Sequence, residues 1–218
     1  MTDDDKRAAA LAAVEEVKSG MLIGLGTGST AAFAIGRLGE LVRAGLKIRA
    51  VATSLRTESM ARMAGITLVD FATVDSVDLT IDGADEIDER LFAIKGAGGA
   101  MLREKIVAAA SRRMIVIADS SKRVDRVGKA KLPVEVLPFA RGFVATRLAD
   151  LGAKTALRAE RSDQGNIIID AFFAEMPDPC ALAMGLSAIP GVLGHGLFLD
   201  EVDCAYIGGG GRVIRLDR

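Results

Sequence analysis

The chain has 218 residues, half of them hydrophobic, with a formal net charge of −1 and a pI near 5.9. That is enough chain to bury one good core, as one domain or as a larger and a smaller one, and the charge balance excludes a global attraction for nucleic acid or an anionic membrane. The two cysteines, Cys180 and Cys204, match no zinc or redox spacing and read as free buried thiols, while the acidic opening MTDDDKRAAALAAVEEV and the lack of any membrane-length apolar run lead us to expect a soluble cytoplasmic protein.

Asp3 to Ser19 reads as a helix, Met21 to Gly26 as a strand, Thr30 to Ala44 as a helix and Lys47 to Thr53 as a second strand. Leu55 to Ala64 looks helical and Thr67 to Asp70 is a short strand. Val77 to Ile81 reads as a buried strand that breaks at Asp82-Gly83 into a loop, where Asp82 and Asp85 would be presented. Phe92-Ala93-Ile94 reads as a strand end leading to Lys95, the turn Gly96-Ala97-Gly98-Gly99 follows, and a helix from about Ala100 carries Glu104 in its first turns. Met114 to Asp119 is another near-continuous apolar strand. Such strands suit a Rossmann-like, mostly parallel α/β sheet with helices on both faces.

After the cationic loop Lys122 to Lys131 the pattern changes. KLPVEVLP is a proline-bounded strand, Arg141 to Leu151 a helix, Lys154 to Arg158 and Asn166 to Phe173 two strands, and Asp178 to Ala188 a helix with Asp178 as N-cap and Pro179 at its first position. Strand, helix, strand, strand, helix, strand suggests a small split-βαβ, ferredoxin-like α+β unit. The tail, Val202 to Ile207 and Arg212 to Leu216, is expected to return to the first unit. The division expected is therefore residues 1–129 with 205–218, and 130–204.

Gly24-Leu25-Gly26-Thr27-Gly28-Ser29-Thr30 is a glycine-rich turn between a strand and a helix, suited to a phosphate through close backbone approach, free helix N–H groups and the hydroxyls of Ser29 and Thr30. It departs from the dinucleotide fingerprint, because Ser29 occupies the third glycine position and the second strand ends without a ribose-binding acid, although Arg56 could meet a 2′-phosphate. A small phosphate ester is the leading reading, with a nucleotide and a purely structural turn as the other two. No P-loop is present, since no Gly-Lys-Ser/Thr follows.

Asp82, Asp85, Lys95 and Glu104 can be read together. Moving a hydrogen between adjacent carbons needs a carboxylate base of raised pKa and a group that neutralises the developing enediolate oxygen, and a glutamate with a lysine supplies both. The bland alternatives are a solvated helix position for Glu104 between Arg103 and Lys105, and turn chemistry for the aspartates. Glu86, Asp88 and Glu89 read as solvated loop charges. The carboxylate order is not that of a calcium loop and the single histidine, His195, lies far off, so no metal is expected; His195 between glycines reads as a loop or interface residue. Arg123, Arg126, Lys129 and Lys131 read mostly as solvated loop cations.

At this point the residues match a known pattern. GLGTGST, TSLRTE, DGADEID, KGAGGAMLREKIV, ADSSKRVDRVGK, LPVEVLPFA and IPGVLGHGLF resemble the type A ribose-5-phosphate isomerases in order and spacing over nearly the whole chain. The resemblance implies interconversion of ribose 5-phosphate and ribulose 5-phosphate in the pentose phosphate pathway, through a cis-enediolate, with neither metal nor cofactor. It makes Glu104 the general base between C1 and C2, Asp82 and Lys95 the groups that stabilise the open-chain sugar and its enediolate, and Asp85 an aid to ring opening and oxygen-to-oxygen proton transfer. Ser29 and Thr30 would hold substrate, Lys122 with Lys6 or Arg7 would lie near the phosphate, and Gly26, Thr27 and Gly28 would shape the pocket. A homodimer or dimer of dimers, built partly through the smaller domain, is also implied. Ala97 and Met101-Leu102 depart from the usual pattern without touching a catalytic side chain. Two rivals are a sugar-phosphate sensing domain, which would need no base, and a nicotinamide-dependent dehydrogenase.

Overall fold

The computed structural model describes residues 3–218. In chain order the main elements are α1 (Asp3–Val14), β1 (Leu22–Leu25), α2 (Ser29–Arg43), β2 (Arg49–Ala52), α3 (Leu55–Met63), β3 (Thr67–Leu68), β4 (Leu79–Gly83), β5 (Glu86–Ile87), β6 (Ala93–Ile94), α4 (Met101–Ala109) and β7 (Met114–Asp119). Then come β8 (Leu132–Val136), α5 (Arg141–Asp150), β9 (Lys154–Leu157), β10 (Ile167–Phe172), α6 (Pro179–Ser187), β11 (Val192–His195), β12 (Leu197–Phe198), β13 (Cys204–Gly209) and β14 (Arg212–Asp217).

Seven strands form the main sheet in the order β14-β13-β7-β4-β1-β2-β3, parallel throughout except for the antiparallel edge β14. The expected α/β class is what the structure has, and the tail strands join this sheet. Period-2 alternation divides β1 between two cores. Ile23 and Leu25 pack with the alanine stripe Ala9, Ala10 and Ala13 of α1 and with Ala34, Ile35 and Leu38 of α2, while Leu22 packs with Val107 of α4 on the opposite face. The chain runs from β1 outward to β3 and then crosses back to β4 on the other side of β1. That reversal opens a crevice at the carboxyl ends of neighbouring parallel strands.

The second sheet, in the order β11-β8-β10-β9, is antiparallel at every pairing. Val144 and Leu148 of α5 and Leu182 and Leu186 of α6 share its core, which gives the ferredoxin-like arrangement expected from the element order. Asp178 caps α6 by accepting from Ala181 N at 2.9 Å, with Pro179 at the first position. A third sheet, β12-β6-β5, lies between the two larger ones.

Several sequence expectations need correction. The first helix stops at Val14 instead of Ser19, leaving through a turn at Glu16 and Val17. β4 runs on through Asp82 and Gly83, which pair with Val116 and Ile117 of β7, so Asp82 sits on a strand and not in a loop. Glu86 and Asp88 are buried: Glu86 accepts from the backbone N–H groups of Gly128, Lys129 and Ala130, and Asp88 from those of Arg90 and Phe92. Glu89 is exposed as expected, paired with Arg123 at 2.7 Å. Cys204 is buried but Cys180 is exposed. His195 lies buried in β11 rather than in a loop; its Nε2 is 3.2 Å from Ser187 Oγ and its Nδ1 accepts from Leu197 N. Burial, reinforced by Lys105, pushes its pKa down to about 4, so it is a neutral framework group.

Candidate active site

The crevice between β1 and β4 is a cavity of about 400 Å³. Each wall is set by a strand end. β1 delivers the turn Gly26-Thr27-Gly28 into the start of α2, where Ser29 and Thr30 begin the helix and leave its first N–H groups unpaired by the helix itself. Gly28, at φ 111°, takes a conformation that a side chain would strain. Gly26 is required for another reason: a β-carbon there would fall inside the Asp82 carboxylate.

Asp82 is fully buried at the end of β4 and fixes the turn by accepting from Thr27 N at 2.9 Å and Gly83 N at 2.7 Å through Oδ1. Lys95 follows β6 directly and is 2 % exposed; its ammonium donates to Gly83 O and lies 2.9 Å from Asp82 Oδ2 and 3.5 Å from Glu104 Oε2. Burial opposes its charge, but Asp82, Glu104 and Asp85 outweigh burial and hold its pKa above the usual lysine value, so it remains a cation. Glu104 belongs to the buried stripe Met101, Glu104, Val107, Ala108 of α4, which decides against the solvated reading. Burial drives its pKa up to about 8, with Asp82 and Asp85 pushing the same way against the pull of Lys95. Neither Asp82 Oδ2 nor Glu104 Oε2 has a hydrogen bond of proper geometry despite the nearby ammonium. Asp85, on the turn after β4, accepts from Ala97 N at 2.8 Å.

The lining is also cationic: Lys6 of α1 and Lys122 of the short 3₁₀ turn after β7 line the same cavity as Ser29, Thr30 and Ser121. Asp119 caps that turn through Ser121 N at 2.9 Å. Burial would raise its pKa, yet the Ser121 donors together with Lys122 and Lys6 hold it below the usual carboxylate range. Arg7 is exposed and lies outside the cavity lining. A larger cavity of about 620 Å³, lined by Leu55, Arg62, Phe71, Arg103 and Ile106 among others, holds none of the residues singled out from the sequence.

Sequence reasoning missed the support of the glycine turn. Thr27 Oγ1 lies 2.9 Å from Thr53 Oγ1 and from Ser54 Oγ and 3.2 Å from Thr57 Oγ1, while Thr57 donates to Gly26 O at 2.8 Å and Thr53 to Leu25 O at 3.0 Å. The hydroxyl-rich segment TSLRTE is the signal for it, with Ser54 also capping α3 through Thr57 N. Among the described residues no group of three or more His, Cys, Asp or Glu has metal-holding geometry, and no helix is long and apolar enough to cross a membrane.

Residues 49–211 match the family described as ribose 5-phosphate isomerase A (phosphoriboisomerase A). The chain is 55% identical over 214 residues to ribose-5-phosphate isomerase A of Sphingopyxis alaskensis, covering 96% of this chain and 94% of that one. It is 46% identical over 215 residues to the protein of that name in Thermomicrobium roseum, covering 95% and 91%. Among solved structures, ribose 5-phosphate isomerase A from Methanocaldococcus jannaschii superposes with a TM-score of 0.95 at 38% identity over the whole of both chains. A D-ribose-5-phosphate isomerase in complex with phospho-erythronic acid does so equally well at 36% identity, again over both whole chains.

Proposed function

We propose a mechanism from one premise: the chain belongs to the ribose 5-phosphate isomerase A family and is an aldose–ketose isomerase. Its substrates are D-ribose 5-phosphate and D-ribulose 5-phosphate, and its place is the non-oxidative pentose phosphate pathway. The observation that carries the reading is the buried Glu104, with its pKa raised to about 8 and an oxygen left without a hydrogen bond, set beside the Lys95 ammonium in a cavity that Lys6, Lys122, Ser29 and Thr30 also line.

The phosphate binds at the start of α2, where the free N–H groups, the two hydroxyls and the two lysines supply donors and charge. This places the sugar carbons toward Glu104. As the furanose opens, Asp85 accepts the proton of the C1 hydroxyl and hands it to the ring oxygen; the C1–O1 bond becomes double, the C1–O4 bond breaks, and Asp85 is left ionised beside an open-chain aldose. Glu104, as carboxylate, then removes the proton from C2 of the aldose; the C1–C2 bond becomes double and the negative charge on O1 is met by Lys95, with Asp82 holding the ammonium in place. Glu104 returns the proton to C1 while the O2 hydroxyl proton passes to O1 by way of Asp85, giving the ketose with no net gain or loss of protons. The fold supports this by placing base and electrophile on different elements, α4 and the segment after β6, so that neither can turn away from the other.

The same premise supports a division into a catalytic unit, residues 1–129 with 205–218, and a smaller unit, 130–204, that contributes to a cytoplasmic homodimer, itself able to pair. The exposed Phe139, Phe143 and Met184 on the smaller unit suit that role.

The test is formation of ribulose 5-phosphate from ribose 5-phosphate in excess chelator, comparing the wild-type chain with a folded Glu104→Gln variant. The wild type turns over and the variant loses about a hundredfold or more in kcat, the scale of general-base catalysis. An equally active variant removes Glu104 from its role, and an inactive wild type overturns the reaction.

A further inference from the structure

Arg158 lies outside the cavity, immediately after β9 in the antiparallel sheet, yet its guanidinium reaches the turn that follows the catalytic lysine. Its side chain is 10 % exposed. Nη1 donates to Gly96 O and to Ala97 O, both at 3.0 Å. Nε and Nη2 grip the Asp170 carboxylate of β10 at 2.6 to 2.9 Å, and Lys131 Nζ reaches the same carboxylate at 2.7 Å. Burial would raise the Asp170 pKa, but these two cations overcome it and keep the group ionised. The fork is therefore immobilised on one side by an anion and spends its remaining edge on two backbone carbonyls.

Gly96 C=O and Ala97 N–H are the two ends of one peptide unit. The carbonyl end accepts from Arg158, and the N–H end donates to Asp85 Oδ2 at 2.8 Å. A cation at the oxygen of an amide draws electron density toward it and strengthens the N–H as a donor, and it also fixes the plane of a turn that Gly96, Gly98 and Gly99 would otherwise leave free. We propose that Arg158 is a positioning residue of the isomerisation, acting through the Gly96–Ala97 peptide to aim and hold the Asp85 carboxylate. This rests on the reading in which Asp85 moves protons between substrate oxygens.

A residue that merely joined two sheets would have a different signature, and a double-mutant cycle separates the two roles. The variants are Arg158→Met, which keeps the packing of the stem and loses the donors, Asp85→Asn, and the pair, each assayed for kcat, KM and melting temperature with ribose 5-phosphate. Arg158→Met lowers kcat about tenfold with KM within about twofold, inside the range that a misplaced positioning group can cost. In the Asp85→Asn background the same change costs less than about twofold, because the group through which Arg158 acts has already been disabled. Asp170→Asn, which releases the guanidinium from its anchor, gives the same non-additivity with a smaller loss, and it carries the test if Arg158→Met does not fold. Losses that multiply independently in the double variant overturn the proposal and leave the isomerase reading intact. A wild-type chain without turnover overturns both.

Discussion

At the scale of single residues, Glu104, as the proposed base, ties activity and stability to pH in opposite directions. Only its carboxylate form can take a proton, so kcat/KM rises as pH climbs toward and through about 8 and falls on the acid side. A pH–rate profile checks this; a flat profile from pH 6 to 9 would remove the raised pKa from the mechanism. Its ordinary value is 4.5, so between that value and about 8 the folded chain holds a proton that the unfolded chain has released. Stability from this group is fully present below 4.5 and is lost as pH rises through the folded value. Glu104→Gln should therefore match the wild type in melting temperature near pH 4, exceed it by a few degrees at pH 8.5, and show the gap opening between; parallel melting curves across that range would sink the argument. Burial of this kind is only half visible in a sequence. The Met101, Glu104, Val107 spacing hints that Glu104 faces inward, but the solvated reading of Glu86 fails because its partners, the N–H groups of residues 128–130, are distant in sequence, and that of Asp88 fails because its own local turn with Arg90 and Phe92 is buried by the rest of the fold.

At the scale of elements, the glycine turn after β1 is bolted to the corner between β2 and α3 by hydroxyls from both sides. Thr57→Val keeps the shape and removes the donor to Gly26 O and the contact with Thr27. Loss of that buried hydroxyl costs about 1 kcal/mol. The loosened phosphate turn should raise KM about five- to tenfold while kcat stays within about twofold, and Thr57→Ser should restore most of it; an equal fall in kcat with KM unchanged would mean that the ladder steadies the chemistry and not the phosphate. The long elements were legible because they carry strong periodicity. β5 and β12 were not, since such short strands carry no period of their own and form only where distant backbone meets: Leu197 and Phe198 pair with Ile94 and Ala93. Arg158 was equally invisible, because the carbonyls it holds lie 61 and 62 residues away in the chain.

At the scale of the whole molecule, net charge near zero gives no global attraction for an anion, so in the proposed reading the charge that meets an anionic sugar is local, on Lys6 and Lys122 of the cavity lining. Exposed apolar side chains occur on both units, Leu55 and Met63 on α3 among them, but Phe139, Phe143 and Met184, at 96 %, 53 % and 70 % exposed, all belong to the α5 and α6 segments of the smaller unit. Phe143→Asp should convert the proposed dimer into a monomer at micromolar concentration by sedimentation velocity; a variant that stays dimeric would move the interface to another face, and a monomeric wild type would overturn the dimer. The overall architecture followed from element order, whereas the join between its two large sheets rests on single residues and short strands and had to be seen.

The N-terminal helix lies across β13, with Asp5 O against Gly208 and Glu16 accepting from the Tyr206 hydroxyl at 2.6 Å. Lys6, which lines the cavity together with Lys122, is thus carried on a helix seated on β1 and α2 and also on β13, a strand far from it in sequence. A displacement of β13 against β7 would therefore reach the cavity through Lys6, although no residue of β13 lines it.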